Sequence, residues 1–364
     1  MKIAFILGRF WYPAGMERVI TIRANELCKE YDITIVTPNQ YPKKDFYELD
    51  KRIHREDLII SNNDYRQVLT DYLLKSKFDI TVSTGGAEFF FLHKIKDGSK
   101  KIFEFHFSFD ISKVWCLEIK NPIKRWFYIK LQTYRRIYHA RKYDLVIVLS
   151  KTDLKKWKRV ANNVTYIYNP ITIPTGHVSK CDTKNAIAVG RIQEQKGFDL
   201  LVEAWSIVNE KHPNWILNIY GDGSEEKKTA LQELINKKNL QSSFILRGRT
   251  SNIVEKYLES SIFILSSRAE GFPLVLLEAS SCGLPLIAFD CPSGPSEIIE
   301  NGRNGFVVGK VGDIQALAQK ICYLIENPVR RKEIGTESAR LSKRFQLDAI
   351  IDQWKSIYQN VINS

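Results

Sequence analysis

Residues 262–278 read Ile262-Phe263-Ile264-Leu265-Ser266-Ser267-Arg268-Ala269-Glu270-Gly271-Phe272-Pro273-Leu274-Val275-Leu276-Leu277-Glu278. An apolar strand, Ile262 to Leu265, closes at Ser266 and Ser267 and turns through Gly271 into a helix. Pro273 is placed as a first helical residue, where its missing N–H costs nothing. The free N–H groups of such a helix start form a ready phosphate site. Glu270 lies just outside that start. Glu278 lies about five residues inside it, roughly 7–8 Å along the axis. Carboxylates accept hydrogen bonds from paired hydroxyls, so the layout suits a ligand built as sugar, phosphate and ribose. A surface helix with two unrelated glutamates has the same spacing, and the flanking sequence decides between the two.

Outward from this stretch, short apolar strands alternate with helical segments, the pattern of a parallel α/β sheet. In the first half the strands are read at Lys2–Leu7, Ile33–Val36, Leu58–Ile60, Ile80–Ser83, Lys101–Phe105, Leu145–Leu149 and Thr165–Tyr168. Asn169-Pro170-Ile171-Thr172-Ile173-Pro174-Thr175-Gly176 then breaks the pattern as a linker. Strands resume at Ala186–Val189, Ile216–Tyr220, Phe244–Leu246, Ile262–Leu265 and Leu286–Phe289. The division expected is a first domain over 1–170, a linker over 171–184, a second domain over 185–342 and a terminal helix over 343–364. Phe345, Ala349, Ile350, Trp354, Ile357, Tyr358 and Val361 give that helix an amphipathic stripe.

A chain of 364 residues is comfortable for two such domains. No apolar run reaches the ~18 residues needed to span a bilayer, and the N-terminus reads as a buried strand rather than a leader. Six scattered cysteines without a C-x-x-C argue for reduced cytosolic thiols, against a disulfide scaffold or structural zinc. The net charge of +13 lies wholly in residues 1–180, and residues 181–364 balance. Such asymmetry points to an anionic partner for the first half: a membrane surface, a nucleic acid or a polyphosphate.

In the second half, Gly190-Arg191-Ile192-Gln193-Glu194-Gln195-Lys196-Gly197 follows a strand and opens a helix at Phe198. A forked guanidinium and a point-like ammonium can together neutralise a diphosphate, bound or departing. Tyr220-Gly221-Asp222-Gly223 ends the next strand, where glycine lets backbone come close to a nucleotide. Leu246-Arg247-Gly248-Arg249 ends the one after. In the first half, Tyr12-Pro13-Ala14-Gly15-Met16-Glu17-Arg18-Val19 opens a helix. Phe103-Glu104-Phe105-His106-Phe107-Ser108-Phe109-Asp110 ends the fifth strand at the sheet edge where open α/β folds bind ligands. Gly85-Gly86-Ala87-Glu88 follows the fourth.

These stretches resemble the retaining glycosyltransferases of family 4, which have the GT-B fold of two Rossmann-like domains facing a cleft. The Glu270 to Glu278 stretch resembles the family's Glu-x7-Glu motif. The likeness implies that Glu270 contacts the donor sugar and Glu278 the ribose, with Gly271, Phe272, Pro273 and Leu274 between them lining the donor site. Arg191 and Lys196 resemble the family's diphosphate clamp. Gly221, and Arg247 beside the base, are further donor-site positions. Tyr12 to Val19 resembles the Gly-Gly-x-Glu-Arg loop, with Ala14 in place of the first glycine, and Gly15 would bring backbone N–H groups to the donor phosphates. His106 is similar to the cleft histidine at the donor sugar. Asp110 and Glu88 are read on the acceptor side. Cys291-Pro292-Ser293-Gly294-Pro295-Ser296-Glu297 is similar to a variant in bacterial surface-polysaccharide enzymes that use UDP-galactose or UDP-N-acetylhexosamines. The terminal helix is expected to cross back onto the first domain, as in GT-B proteins. The likeness is strongest over residues 183–310.

Residues 113–159 hold 14 Lys/Arg against Glu118, Asp144 and Asp153. Asn121 then Pro122 makes a sound helix start. Ile123, Phe127, Leu131, Tyr134 and Tyr138 form a stripe. Lys124, Arg125, Lys130, Arg135 and Arg136 surround it, with Trp115 and Trp126 nearby. A basic amphipathic segment with aromatics suits a membrane surface; a core-packing helix with a solvated cationic back is the other reading.

The function expected is transfer of a hexose or N-acetylhexosamine, with retention, from a nucleotide diphosphate sugar, UDP above others. The acceptor would be a lipid-linked or membrane-proximal glycan in bacterial surface polysaccharide synthesis. The enzyme would be cytoplasmic and peripheral on the inner face of the plasma membrane. No Asp-x-Asp occurs in the chain, so no metal is expected, and no cofactor. Another two-Rossmann nucleotide-sugar enzyme, an epimerase or a phosphorylase, is the alternative. A basic nucleic-acid-binding protein is the remaining one, with no module for it, so no nucleic-acid partner is expected.

Overall fold

The computed structural model describes residues 1–61 and 64–363. It divides into two compact units, Met1–Thr172 with Leu347–Ser364, and Ile173–Gln346. The first unit is built on β1 (Lys2–Ile6), β2 (Asp32–Pro38), β3 (His54–Leu58), β4 (Ile80–Ser83), β5 (Lys100–Phe105), β6 (Leu145–Val148) and β7 (Val164–Tyr166). They pair in the order β3-β2-β1-β4-β5-β6-β7, all parallel. Both faces are covered, which is why the central strands read as unbroken apolar runs. Side chains alternate between the two cores. Ile3, Phe5, Ile35, Val82 and Ile102 enter one, and Ala4, Ile6, Val36, Phe103 and Phe105 enter the other.

The third strand departs from the sequence reading. Leu58-Ile59-Ile60 looks like a strand by hydropathy, but Ile59 is 82% exposed. The strand is instead the polar His54–Leu58, paired with Thr34–Pro38. It lies at the sheet edge, where charge guards the open hydrogen-bonding groups, so periodicity of apolar residues cannot find it.

The second unit carries β8 (Asn185–Val189), β9 (Ile216–Tyr220), β10 (Phe244–Gly248), β11 (Ile262–Leu265), β12 (Leu286–Asp290) and β13 (Gly305–Lys310). The order is β10-β9-β8-β11-β12-β13, again all parallel. Each unit thus runs third, second, first, fourth, fifth, sixth in its own count, the doubly wound arrangement. Strand order reverses between β1 and β4, and between β8 and β11. The crevice beyond the carboxyl ends of the strands at such a reversal is where these sheets bind ligands.

Two helices of the first unit carry the apolar stripes seen in the sequence, and they use them differently. Lys343–Phe345, still within the second unit, forms a short turn whose Phe345 ring meets Phe272 of the same unit, centroids 5.8 Å apart. The chain then enters the helix Leu347–Asn363, which buries Ile350, Ile351, Trp354, Tyr358 and Val361 against the first unit's core. The helix Pro122–Ala140 is capped by Asn121, whose side chain accepts from the N–H groups of Ile123 and Lys124. It packs inward through Arg136 and Ala140. Its apolar stripe faces out, with Ile123 78%, Trp126 62% and Tyr134 67% exposed.

Candidate functional site

The strand reversal in the second unit puts two loops side by side, one leaving β8 at Gly190 and one leaving β11 at Ser266. They are laced together. The Arg268 N–H donates to the Gln195 carbonyl at 2.7 Å, and the Gln195 side chain donates to the Ala269 carbonyl at 2.8 Å. The Ser266 hydroxyl donates to the Lys196 carbonyl at 2.9 Å. Arg268 also forks onto Asp199, at 2.8 and 2.6 Å. Such lacing fixes the two loops before any ligand arrives.

It brings Lys196 and Glu270 together. Lys196 Nζ lies 2.8 Å from Glu270 Oε1, which also accepts from Ser267 at 2.5 Å. Glu270 is 7% exposed. Arg191, on the same loop as Lys196, is exposed and has no ion-pair partner among the described residues. With Lys196 balanced by Glu270, Arg191 is left as the unpaired cation of this loop among the described residues.

Pro273 is the N-cap of the helix Leu274–Ser281, one position before its expected place. Glu278 sits on this helix, 2% exposed, with its Oε2 accepting from the Tyr257 hydroxyl at 3.0 Å. Tyr257 escaped the sequence reading, since one more aromatic residue in a short helix carries no local signal. Phe272 turns inward onto Phe345, so that its side chain fixes the turn. Gly271 and Leu274 are half-buried beside it.

Two glycines are required by packing. At Gly221 (φ 150°) a Cβ would come within 1.8 Å of the Gly190 carbonyl oxygen, so this glycine serves the approach of two protein loops. At Gly294 (φ 93°) a Cβ would lie 2.5 Å from Pro273 Cδ. The Cys291–Glu297 loop therefore rests directly on the Glu270–Glu278 turn. Arg247 is exposed and donates from Nε to Asn218 at 2.8 Å.

In the first unit, Gly15 is exposed and is the first residue of the helix Gly15–Leu27; Ala14 is the N-cap and makes no side-chain cap bond. His106 follows β5 with its side chain 5% exposed, and its Nε2 lies 3.2 Å from Glu104 Oε1. Asp110 is held by Lys113 at 2.8 Å and Lys156 at 2.7 Å. Burial pushes its pKa up, but the two lysines outweigh burial and leave it below the usual value.

Two expected placements need correction. Glu88 does not face outward; it is fully buried, accepting from the Ser83 hydroxyl at 2.7 Å and the Gly86 N–H at 3.0 Å. Burial raises its pKa, and these bonds only partly offset that. Arg136 is not on the outer face of its helix. It is 7% exposed and donates to the Phe109 carbonyl at 2.7 Å and the Ser112 hydroxyl at 3.2 Å. Trp115, Lys124, Trp126, Lys130 and Arg135 are exposed, and Arg125 is half-buried.

His212, Cys322 and Glu326 are the one group of metal-type donors within 4.8 Å of one another among the described residues. None belongs to the site above. No helix of the described residues is long and apolar enough to cross a membrane.

Residues 172–341 match the family Glycosyl transferases group 1. Over 369 aligned residues the chain is 29% identical to an uncharacterized glycosyltransferase of Haemophilus influenzae, covering 98% of this chain and 99% of that one. It is 24% identical, over the whole of both chains, to a Campylobacter jejuni protein. That protein is named GalNAc-alpha-(1->4)-GalNAc-alpha-(1->3)-diNAcBac-PP-undecaprenol alpha-1,4-N-acetyl-D-galactosaminyltransferase. Other relatives align with 47% to 60% of this chain, which spans at most 50% of their length. Among solved structures, a TarM mutant from S. aureus, in complex with Fondaparinux, alpha-GlcNAc-glycerol and UDP, superposes with a TM-score of 0.81 at 18% identity over 100% of both chains. Residues 172–341 thus form a Glycosyl transferases group 1 domain, and the two parallel sheets of the chain have the GT-B fold.

Proposed function

We propose that the chain is a retaining glycosyltransferase that moves a hexose or N-acetylhexosamine from a UDP-sugar to a lipid-linked or membrane-proximal glycan of the bacterial surface. The observation that carries the reading is the laced pair of loops at the β8/β11 reversal, where Lys196 meets Glu270 and the loop that carries Lys196 also leaves Arg191 exposed. The donor diphosphate lies against Arg191 and Lys196, its sugar beside Glu270, and its ribose toward Glu278. The two cations stabilise the departing diphosphate in place of a metal. Glu270, its Oε1 held by Lys196 and Ser267, contacts the sugar and is not a nucleophile. The acceptor hydroxyl attacks on the face the diphosphate leaves, and a phosphate oxygen takes its proton. A glycosyl adduct trapped on Glu270 would sink this mechanism. UDP is favoured by the Cys291–Glu297 loop and by the UDP bound in the TarM structure. A lipid-linked acceptor is in keeping with the Campylobacter relative's name.

Membrane attachment belongs to the same reading. The outward stripe of the helix Pro122–Ala140 is larger than scattered surface apolar residues require. Lys124, Lys130 and Arg135 border it, and Trp115 and Trp126 suit the headgroup level. The protein would then work at the cytoplasmic face, where its acceptor lipid lies.

The test is a thermal-shift panel of UDP, GDP, ADP and their common sugar conjugates, with EDTA present throughout. A ligand at a hundredfold excess over Kd adds about 2.7 kcal/mol of stability. UDP and one UDP-sugar should raise Tm, and Arg191→Ala should abolish the rise without changing the Tm of the free protein. A folded protein that none of these ligands stabilises would overturn the donor site.

A further inference from the structure

The first unit buries one ion pair completely. Arg23, on the helix Gly15–Leu27, and Glu104, on β5, have side chains 1% and 0% exposed. They are joined by two parallel hydrogen bonds of 2.7 Å. The guanidinium lies 3.9 Å from the Trp354 ring centroid and 4.9 Å from that of Phe5. Trp354 comes from the terminal helix, as does Tyr358, another buried ionisable group beside the pair. As a source of stability such a pair is a poor choice. Removing two charges from water costs about what their attraction returns, and apolar residues of similar size commonly do as well or better.

Glu104 has a second neighbour. Two residues along the chain, and so on the same face of the strand, His106 places Nε2 3.2 Å from Glu104 Oε1. The ring is not aligned for a hydrogen bond there, and Nε2 has no hydrogen-bond partner among the described residues. A buried nitrogen 3.2 Å from a carboxylate oxygen makes a contact that a small ring rotation completes, and such bonds in ligand-free sites often tighten on binding. Which imidazole nitrogen carries the proton is set by the bond the other one makes.

We propose that Glu104 is a positioning residue for His106: it receives the Nε2–H, leaves Nδ1 as the ring atom for substrate, and is itself held by Arg23 and the terminal helix. The inference rests on the reading of His106 as a residue that faces the donor sugar. It makes Trp354, about 250 residues away in sequence, part of the support of that histidine. Arg23 and His106, with Tyr358, are the titratable groups that face Glu104 among the described residues.

Nitrogen-15 NMR of the His106 ring, assigned by its loss in His106→Gln, reads the tautomer directly. The wild type should show the Nε2–H form. Glu104→Leu alone would strand the Arg23 charge, so Arg23→Met and Glu104→Leu are made together. Glu104→Asp is the second variant; it keeps both charges and draws the carboxylate away from the ring. In each, the Nε2–H form should give way to a mixture. For the donor identified by the thermal-shift panel, kcat should fall about ten- to hundredfold while its KM holds. An unchanged His106 tautomer in either folded variant overturns the proposal. Undiminished transfer by His106→Ala overturns instead the reading of His106 on which it rests, and that result does not depend on the NMR.

Discussion

Two buried carboxylates of the first unit, Glu88 and Glu104, have pKa values shifted in opposite directions because of what stands beside them. Burial pushes both pKa values up. At Glu104 the Arg23 guanidinium, with His106, outweighs burial and brings the value down to about 2. At Glu88 there is no cation, only the Ser83 hydroxyl and backbone N–H groups, and the value stays raised. A carboxyl with a raised folded pKa is stable as the acid, so its ionisation costs stability once the pH exceeds its unfolded value. Glu88→Gln keeps an acceptor for Ser83 and Gly86 and removes that cost. It should raise Tm near pH 8, and by less at pH 4; calorimetry at the two pH values checks the sign. Gly221 carries the opposite prediction. A Cβ there meets the Gly190 carbonyl oxygen at 1.8 Å in a left-handed conformation. Gly221→Ala should therefore destabilise the second unit by roughly 3 kcal/mol or more, measured by chemical denaturation without any ligand.

At the scale of the element, the helix Pro122–Ala140 shows where reading a sequence stops. Its cap and its apolar stripe are legible, because Asn121-Pro122 and three- and four-residue spacing leave a local trace. The side on which the stripe lies is not legible, since the same period serves a core or a membrane. Arg136 makes the point: of the five Lys and Arg along the helix it is the buried one, because Phe109 and Ser112 stand there to receive it. The two loops proposed to bind the donor leave the same kind of local trace, with charge, glycine and strand end falling within a few residues. The partners that fix them were not. Tyr257 reaches Glu278 from 21 residues away, and Arg23 reaches Glu104 from 81. Polar β3 was hidden by the apolar residues just after it. From the exposure of the stripe, Ile123→Glu with Trp126→Glu should abolish flotation with anionic vesicles and leave Tm nearly unchanged, as surface substitutions do. Arg136→Ala should lower Tm with little effect on vesicle binding. If the double variant melts markedly lower, the stripe is a packing face.

Over the whole molecule the two units share a strand order but differ in charge. The excess of +13 lies in residues 1–180, and every carboxylate protonated on acidification adds to that self-repulsion. The Arg23–Glu104 pair acts in the same direction. Glu104 has a folded pKa of about 2 against an ordinary 4.5, so its contribution is complete above about pH 4.5 and is lost as the pH falls from there through about 2. The depression corresponds to something on the order of 3 kcal/mol, a large share of what holds a domain of this size. Acid should therefore open the first unit before the second. Hydrogen exchange, corrected for intrinsic rates and stepped from pH 5 to pH 2.5, should show β1, β5 and the terminal helix losing protection ahead of β8, β9 and β11. Added salt should weaken the part due to net charge and spare the part due to the buried pair, which solvent ions do not screen. The Arg23→Met, Glu104→Leu variant should show the converse: little pH dependence between 4.5 and 2, and a remaining slope that salt removes. Earlier opening of the second unit would mean that its balanced charge conceals a weaker core. A slope unchanged in the variant would mean that Glu104 does not carry the acid sensitivity.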